Sequence, residues 1–121
     1  MSTIYEVAVI IGSLRNGSYN RRVARMLSEL APAALEFEFV EIGRLPFYNE
    51  DLERSGAPEV WQTFGERIRS ADAVLFVTPE YNRSLPAALK NAIDVGSRPI
   101  GRSAWKGKPA AVVSVSLGML G

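Results

Sequence analysis

The 121 residues of this chain include neither cysteine nor histidine. The absence of cysteine excludes disulfides and thiolate nucleophiles, and the absence of histidine excludes Ser-His-Asp triads. Together the two absences remove the usual ligands of zinc, so we expect no metal site. Any catalysis would have to use carboxylates or a bound cofactor that carries the reactivity.

Long apolar runs and an excess of one charge are also absent. The net charge is +1, and outside the first loop basic and acidic residues are interspersed, which gives no reason to expect nucleic acid or a membrane surface as a partner. Residues 1–6 match neither a signal peptide nor a lipidation site, so the expected location is the cytoplasm. With 47% hydrophobic and 22% charged residues, the sequence predicts a single globular domain over residues 1–121.

A polar, glycine-bearing stretch at residues 12–20 stands out from this background. It follows the apolar run 7–11 and leads into a helical pattern that begins near Arg21. Glycines let a backbone approach a ligand closely, and a helix N-terminus adds unpaired N–H groups, so such a loop is suited to an anion. The distribution of charge supports an anion site, because residues 7–28 contain no acidic residue and include Arg15, Arg21, Arg22 and Arg25.

The residues of this loop narrow the kind of anion. Gly12 and Gly17 have the Walker spacing, but Ser18 and Tyr19 stand where that motif needs lysine and serine or threonine. Hydroxyls without that lysine are better suited to a terminal monophosphate. The alternative is an ordinary strand-to-helix turn that Ser18 caps.

Strand and helix patterns alternate along the chain. Apolar or alternating runs predict strands at 4–11, 35–42, 73–77 and 110–116, and apolar stripes predict helices at 20–31, from 58 onwards and at 87–95. The helical stripe of the first helix consists of Val23, Ala24, Leu27, Leu30 and Ala31. This alternation predicts an α/β fold with a parallel sheet. The second strand alternates apolar with charged residues and fits an edge, so we expect the flavodoxin-like order 2-1-3-4.

This predicted sheet lacks the fifth strand and last helix of a flavodoxin-like domain. We therefore expect either that the sequence is C-terminally truncated or that a partner chain covers the fourth strand.

A second polar segment, Thr78-Pro79-Glu80-Tyr81-Asn82, follows the third predicted strand. Tyr81 could stack on a planar ring, and Asn82 could bond polar ring atoms; alternatively, Tyr81 packs on the next helix and Glu80 is solvated. Ser114, Ser116 and Gly118 lie on the same predicted rim. An exposed polar face is the expected place of Lys90, Asn91 and Asp94, on the predicted helix 87–95.

Four segments in this order resemble the NAD(P)H-dependent FMN reductase family, including its quinone and chromate reductases. They are residues 12–20, 78–82, Leu89-Lys90-Asn91-Ala92-Ile93-Asp94 and Gly107-Lys108-Pro109, so the likeness extends over essentially the whole chain.

The resemblance implies a flavodoxin-like fold that binds FMN non-covalently, with the phosphate at residues 13–20 and the ring and ribityl chain at residues 80–83 and 116. The cofactor-binding residues that it implies are Ser13, Arg15, Ser18, Tyr19, Asn20, Pro79, Glu80, Tyr81, Asn82, Arg83, Ser116 and Gly118. It also implies a homodimer or homotetramer.

The implied reaction is ping-pong. NADH or NADPH delivers a hydride to the flavin, and a quinone, free flavin, azo compound or metal oxyanion then takes the electrons, with no side chain required as acid or base. Two alternatives stay open: a flavodoxin-type electron carrier, and a phosphosugar- or nucleotide-binding domain without flavin.

Overall fold

A computed structural model describes residues 3–119 of the chain. Within them it has strands β1 (Tyr5–Ile11), β2 (Leu35–Phe39), β3 (Ala73–Thr78) and β4 (Ala110–Ser114) and helices α1 (Tyr19–Leu30), α2 (Glu50–Arg54), α3 (Glu59–Ser70) and α4 (Ala87–Gly96). In this part of the chain, no helix combines the length and apolar character that crossing a membrane requires.

The four strands form one parallel sheet in the order β2-β1-β3-β4. Val9 in the middle of β1 pairs with Phe39 on one side and Leu75 on the other. The predicted flavodoxin-like fold and strand order are therefore confirmed. Because all strands run the same way, the loops that leave β1, β3 and β4 meet at one edge, the carboxyl edge of the sheet.

Side chains of β1 alternate between two apolar layers, as the period of two in a strand requires. Val7, Val9 and Ile11 pack on the α1 face, where Ala24 is fully buried. Ala8 and Ile10 point to the other face and join the larger cluster that includes residues of α3 and α4. These two layers hold β1 and β3 rigidly and so fix where their following loops begin.

The outer strand β4 is poorly covered, as expected for the edge of this sheet. Val112 is 67% exposed, and Ala110 and Ala111 are also exposed. The strand ends at Ser114, so Ser116 lies in the following loop and not in the strand as predicted.

Three elements differ from the sequence prediction. Strand β2 ends at Phe39 and not at Ile42, although the Val40 N–H still donates to the Val9 carbonyl at 2.9 Å and both Val40 and Ile42 are buried on the face opposite Phe39. Leu30, predicted to belong to the apolar stripe of α1, is 77% exposed, since it lies at the amino end of the sheet, where Tyr5 and Leu35 are exposed too. The short helix α2 was not predicted; Asn49 caps it by accepting a bond from the Asp51 N–H at 2.8 Å.

Candidate functional site

Gly12 lies where the loop after β1 touches the end of β3. Its N–H donates to the carbonyl of Val77 at 2.9 Å, and a Cβ at position 12 would be 2.1 Å from Thr78 Oγ1. No side chain fits in that space. Glycine at this position therefore allows the loops after β1 and β3 to share one site.

Polar side chains in the loop after β1, residues 12–20, are buried although they follow an apolar strand. Ser13 and Ser18 are each 5% exposed. Ser18 Oγ accepts the N–H of Arg21 at 3.1 Å and so caps α1, which confirms the capping role considered for it. Its hydroxyl hydrogen is still free to donate, so capping and anion binding are compatible.

Asn20, in the first turn of α1, connects this loop to the loop after β4. The side chain is 3% exposed, and Nδ2 donates to the carbonyl of Val115 at 3.2 Å. Its Oδ1 is buried and has no donor within the described part of the chain. Because an unsatisfied buried acceptor is costly, this atom needs a donor from a ligand or from water.

Arg15 and Tyr19 lie on the outer side of the same loop and are exposed. The guanidinium of Arg22 lies 5.8 Å from the centre of the Tyr19 ring. The loop therefore combines buried hydroxyls with exposed cationic and aromatic side chains.

The segment after β3 forms a tight turn. Tyr81 and Ser84 exchange two backbone hydrogen bonds of 3.0 Å, and Asn82 and Arg83 both have positive φ, at 52° and 63°. Glu80 accepts the N–H of Arg83, so it is not simply solvated as one alternative held. Tyr81 is 50% exposed and is not packed away.

Three loops thus meet at the carboxyl edge. Contacts join Gly12 to Thr78 and Asn20 to Val115, which brings the loop after β1 against the ends of both β3 and β4. Pro79 is buried directly after Thr78, while Ser116 and Gly118 are exposed and bond each other at 3.3 Å.

Asn91 of α4 is buried, so its predicted place on an exposed polar face is wrong. Its Oδ1 accepts the N–H of Tyr48 at 2.8 Å, and Nδ2 donates to the carbonyls of Leu45 and Pro46 at 3.3 and 3.2 Å. The side chain therefore fastens the long connection between β2 and α3 to α4. Lys90, by contrast, is exposed and pairs with Asp94 at 2.6 Å.

A polar cluster that the sequence analysis did not predict joins Tyr48 and Glu53 of this connection to Arg98, which follows α4. Glu53 accepts bonds from Tyr48 at 2.7 Å and from Arg98 at 2.8 Å. The bond from Arg98, followed by that from Tyr48, lowers the pKa of Glu53. The bond to Glu53 raises the pKa of both Tyr48 and Arg98. Glu53 and Arg98 are 45 positions apart, so no local sequence pattern signals their contact.

Comparison with known proteins identifies what this arrangement is similar to. The profile of the NADPH-dependent FMN reductase family matches residues 5–121. A quinone reductase of Pseudomonas putida is 67% identical over 121 residues, which are the whole of this chain and 65% of that protein. A 2-hydroxy-1,4-benzoquinone reductase of a Burkholderia species is 50% identical over 116 residues, 96% of this chain and 63% of that protein.

A solved structure has the same fold. A flavoenzyme NAD(P)H:(acceptor) oxidoreductase from Paracoccus denitrificans superimposes with a TM-score of 0.91 at 50% identity, over 97% of this chain and 64% of that chain. The present chain thus spans about two thirds of the length of these relatives.

Proposed function

Because this chain belongs to the NADPH-dependent FMN reductase family, we propose that it is the FMN-binding part of an NAD(P)H-dependent reductase. The acceptors would be quinones first, and then free flavin, azo compounds or metal oxyanions. Two relatives that match nearly the whole chain are named for quinone reduction, which supports a quinone as acceptor. The single observation that carries the proposal is the buried, partly unsatisfied polar loop that touches the ends of β3 and β4 at one edge of the sheet.

The residues of the loop after β1 suit the phosphate of FMN. Ser13 and Ser18 offer hydroxyl donors in a buried setting, Arg15 adds a cation, and no carboxylate lies in residues 12–20. A dianion at the start of α1 is also favoured by the helix dipole. Asn20 Oδ1 would accept from a ribityl hydroxyl, which would satisfy its unpaired oxygen.

The turn after β3 suits the planar ring. Three of the four backbone N–H groups of residues 81–84 have acceptors in the described part of the chain, and that of Asn82 has none. We assign this free N–H, with the Asn82 side chain, to polar atoms of the ring, and the half-exposed Tyr81 to its edge. Pro79 and the Glu80–Arg83 bond keep the turn in place.

In this mechanism the chain positions reactants and supplies no acid or base. FMN, when bound, supplies the redox chemistry between a nicotinamide donor and the acceptor. The loop after β1 anchors the phosphate end, and the turn after β3 orients the ring so that donor and acceptor can reach the same face in turn.

Uptake of FMN by the chain tests this proposal. After incubation with FMN and desalting, we expect a yellow protein that oxidises NADPH steadily with a quinone. The double variant Arg15→Ala/Ser18→Ala removes two donors to a charged group, so the Kd for FMN should rise about 100-fold. A matched control, Arg54→Ala/Ser28→Ala, removes the same residue types elsewhere and should leave the Kd within about twofold. A colourless protein, or equal affinities for both double variants, would contradict the assignment.

We also propose a homodimer or homotetramer in the cytoplasm, where NAD(P)H is available. Val112 and Leu117, 67% and 85% exposed, offer apolar contact area next to the site. Light scattering should give a mass at least twice 13.2 kDa, and a monomeric mass at every concentration would exclude the assembly.

A further inference from the structure

A cleft rich in arginine lies on the other side of α1 from the contact with β4. It encloses about 950 Å³, and its lining includes Arg21, Arg22, Arg25, Glu41 and Arg44. We call it the arginine cleft. It runs from the tip of the loop at Gly17 to the segment that follows β2.

The cleft shares Leu14, Asn16 and Gly17 of the loop after β1 with the proposed phosphate site, but its arginines project from a different side of α1. Asn20 points towards the loop after β4, where it donates to Val115. Its neighbour Arg21 points towards the segment after β2, where Nη1 lies 3.8 Å from Glu41. Residues 21 and 25 are one helical turn apart, so their side chains share a face. The arginines of the cleft and Asn20 therefore lie on different sides of one helix.

Positive charge in the arginine cleft is not balanced by the described part of the chain. Four arginines face one glutamate, and Arg22, Arg25 and Arg44 form no ion pair within residues 3–119. Elsewhere, Arg54, Arg67, Arg69 and Arg98 each pair with a carboxylate at 3.1 Å or less. Within residues 3–119, Arg15, Arg83 and Arg102 also form no ion pair, but they do not line a common space with one another as the arginines of the cleft do. The cleft thus collects cations that the chain leaves without anions.

A second observation points to a ligand. Arg21 Nε is buried and has no hydrogen-bond partner within the described residues. A buried guanidinium N–H without an acceptor is destabilising, and like charges held together repel, so this arrangement costs free energy unless an anion is bound. Guanidinium groups bind both carboxylate and phosphate oxygens in bidentate fashion, but a phosphate dianion balances more of this positive charge than a single carboxylate does.

We propose that the arginine cleft binds the phosphate groups of a nucleotide, at a site separate from the phosphate of FMN. Two sources have this chemistry. One is the electron donor NADPH, whose 2′-phosphate distinguishes it from NADH; this source rests on the proposed function. The other is a separate phosphorylated nucleotide.

Calorimetry with adenosine 2′,5′-bisphosphate, in the presence of saturating FMN, tests the site directly. We expect binding to the full chain, and the variant Arg25→Gln/Arg44→Gln should weaken it about 10-fold, since two exposed charge-assisted contacts are lost. The control variant Arg54→Gln/Lys106→Gln removes the same charge away from the cleft and should leave the affinity unchanged. No binding, an equal loss in both variants, or displacement of the probe by FMN would overturn the proposal.

Failure of the proposed function would be recognised separately. If the chain takes up no FMN, the same titration is made without it on Ser18→Ala and on the cleft variant. Loss of affinity in the cleft variant alone supports the arginine cleft even then, whereas loss in Ser18→Ala alone places the probe in the loop and refutes it.

Steady-state kinetics distinguishes the two sources. If the phosphate comes from the donor, the cleft variant should raise the KM for NADPH about 10-fold while the KM for NADH and both kcat values stay unchanged. If both KM values stay unchanged while the probe binds less tightly, the occupant is a separate nucleotide, and the site itself still stands.

Discussion

Two polar clusters of this molecule differ in how completely they are satisfied. In the cluster of Tyr48, Glu53 and Arg98, the carboxylate accepts bonds from both partners, and the guanidinium also lies 5.4 Å from the Tyr48 ring centre. In the loop after β1, by contrast, Asn20 Oδ1 and the neighbouring Arg21 Nε are buried without partners in the described chain. The first cluster supplies the hydrogen-bond partners of its own carboxylate. The second needs a ligand or water to supply partners for two buried atoms.

The shifted pKa values lie outside the candidate site. They occur in the satisfied cluster, where mutual hydrogen bonds cause them and where the contacts fasten the connection between β2 and α3. Perturbed groups are often used to locate active sites, but structural ion pairs perturb them too. If the chemistry belongs to a bound flavin, as proposed, unsatisfied donors and acceptors are the more informative sign of the site.

Substitution of Gly12 should have the largest effect, because it disrupts the loop after β1. In Gly12→Ala the new Cβ meets Thr78 Oγ1 at 2.1 Å and Thr78 Cβ at 2.7 Å, so the loop must move away from β3. We expect a loss of about 3 kcal/mol in the free energy of unfolding and no retention of FMN. Urea unfolding and the desalting assay measure the two effects.

Gly17→Ala is the matched control for this change. Gly17 has φ of 70° but nothing within 4 Å of an added Cβ, so alanine there meets only backbone strain, about 1 kcal/mol. If Gly12→Ala were no worse than Gly17→Ala, the close approach of the two loops would not be what shapes the site.

The sequence predicts the fold well because local patterns determine it. Apolar runs without alternation mark β1 and β3 as interior, and alternating charges mark β2 as an edge, which together select the observed strand order. Glycine, hydroxyls and the lack of acids predict an anion site in the loop at 12–20, and this assignment stays a prediction. Its placement beside β3 also follows, because parallel strands end at one edge.

Contacts between distant residues could not be predicted in the same way. Asn91 looks like an exposed helix residue, since its neighbours Lys90 and Asp94 are charged, and only the fold shows that backbone groups of residues 45–48 approach it. Likewise, Glu53 and Arg98 are 45 positions apart, and nothing local pairs them.

Asn91→Ala should destabilise the connection between β2 and α3 and leave the loop after β1 intact. Three hydrogen bonds are lost, which removes these partners from the Tyr48 N–H and the Leu45 carbonyl, while the Pro46 carbonyl still accepts from Trp61 Nε1 at 2.9 Å. The loss should be about 2 kcal/mol in the free energy of unfolding. FMN affinity should change less than about twofold, because these bonds lie outside the loop after β1. The neighbouring exposed ion pair offers a control: Lys90→Ala should cost at most about 0.5 kcal/mol. An equal loss of unfolding free energy in both variants would mean that the hydrogen bonds of Asn91 do not stabilise this connection.

The smallest expected effect is the pH dependence of stability that arises from the cluster of Tyr48, Glu53 and Arg98. Bonds from Arg98 and Tyr48 lower the pKa of Glu53 below its ordinary value of 4.5, so its contribution to stability is complete above that pH and is lost as pH falls through the lowered pKa. Tyr48 has the opposite sign: its pKa is raised above 10.0, so its contribution is present below pH 10 and is lost only above the raised pKa. The Tm of the wild type should therefore exceed that of Glu53→Gln at neutral pH, and the difference should vanish in acid. A constant difference from neutral pH down to about pH 3 would show that the charge of Glu53 is irrelevant, and that shape alone holds this connection in place.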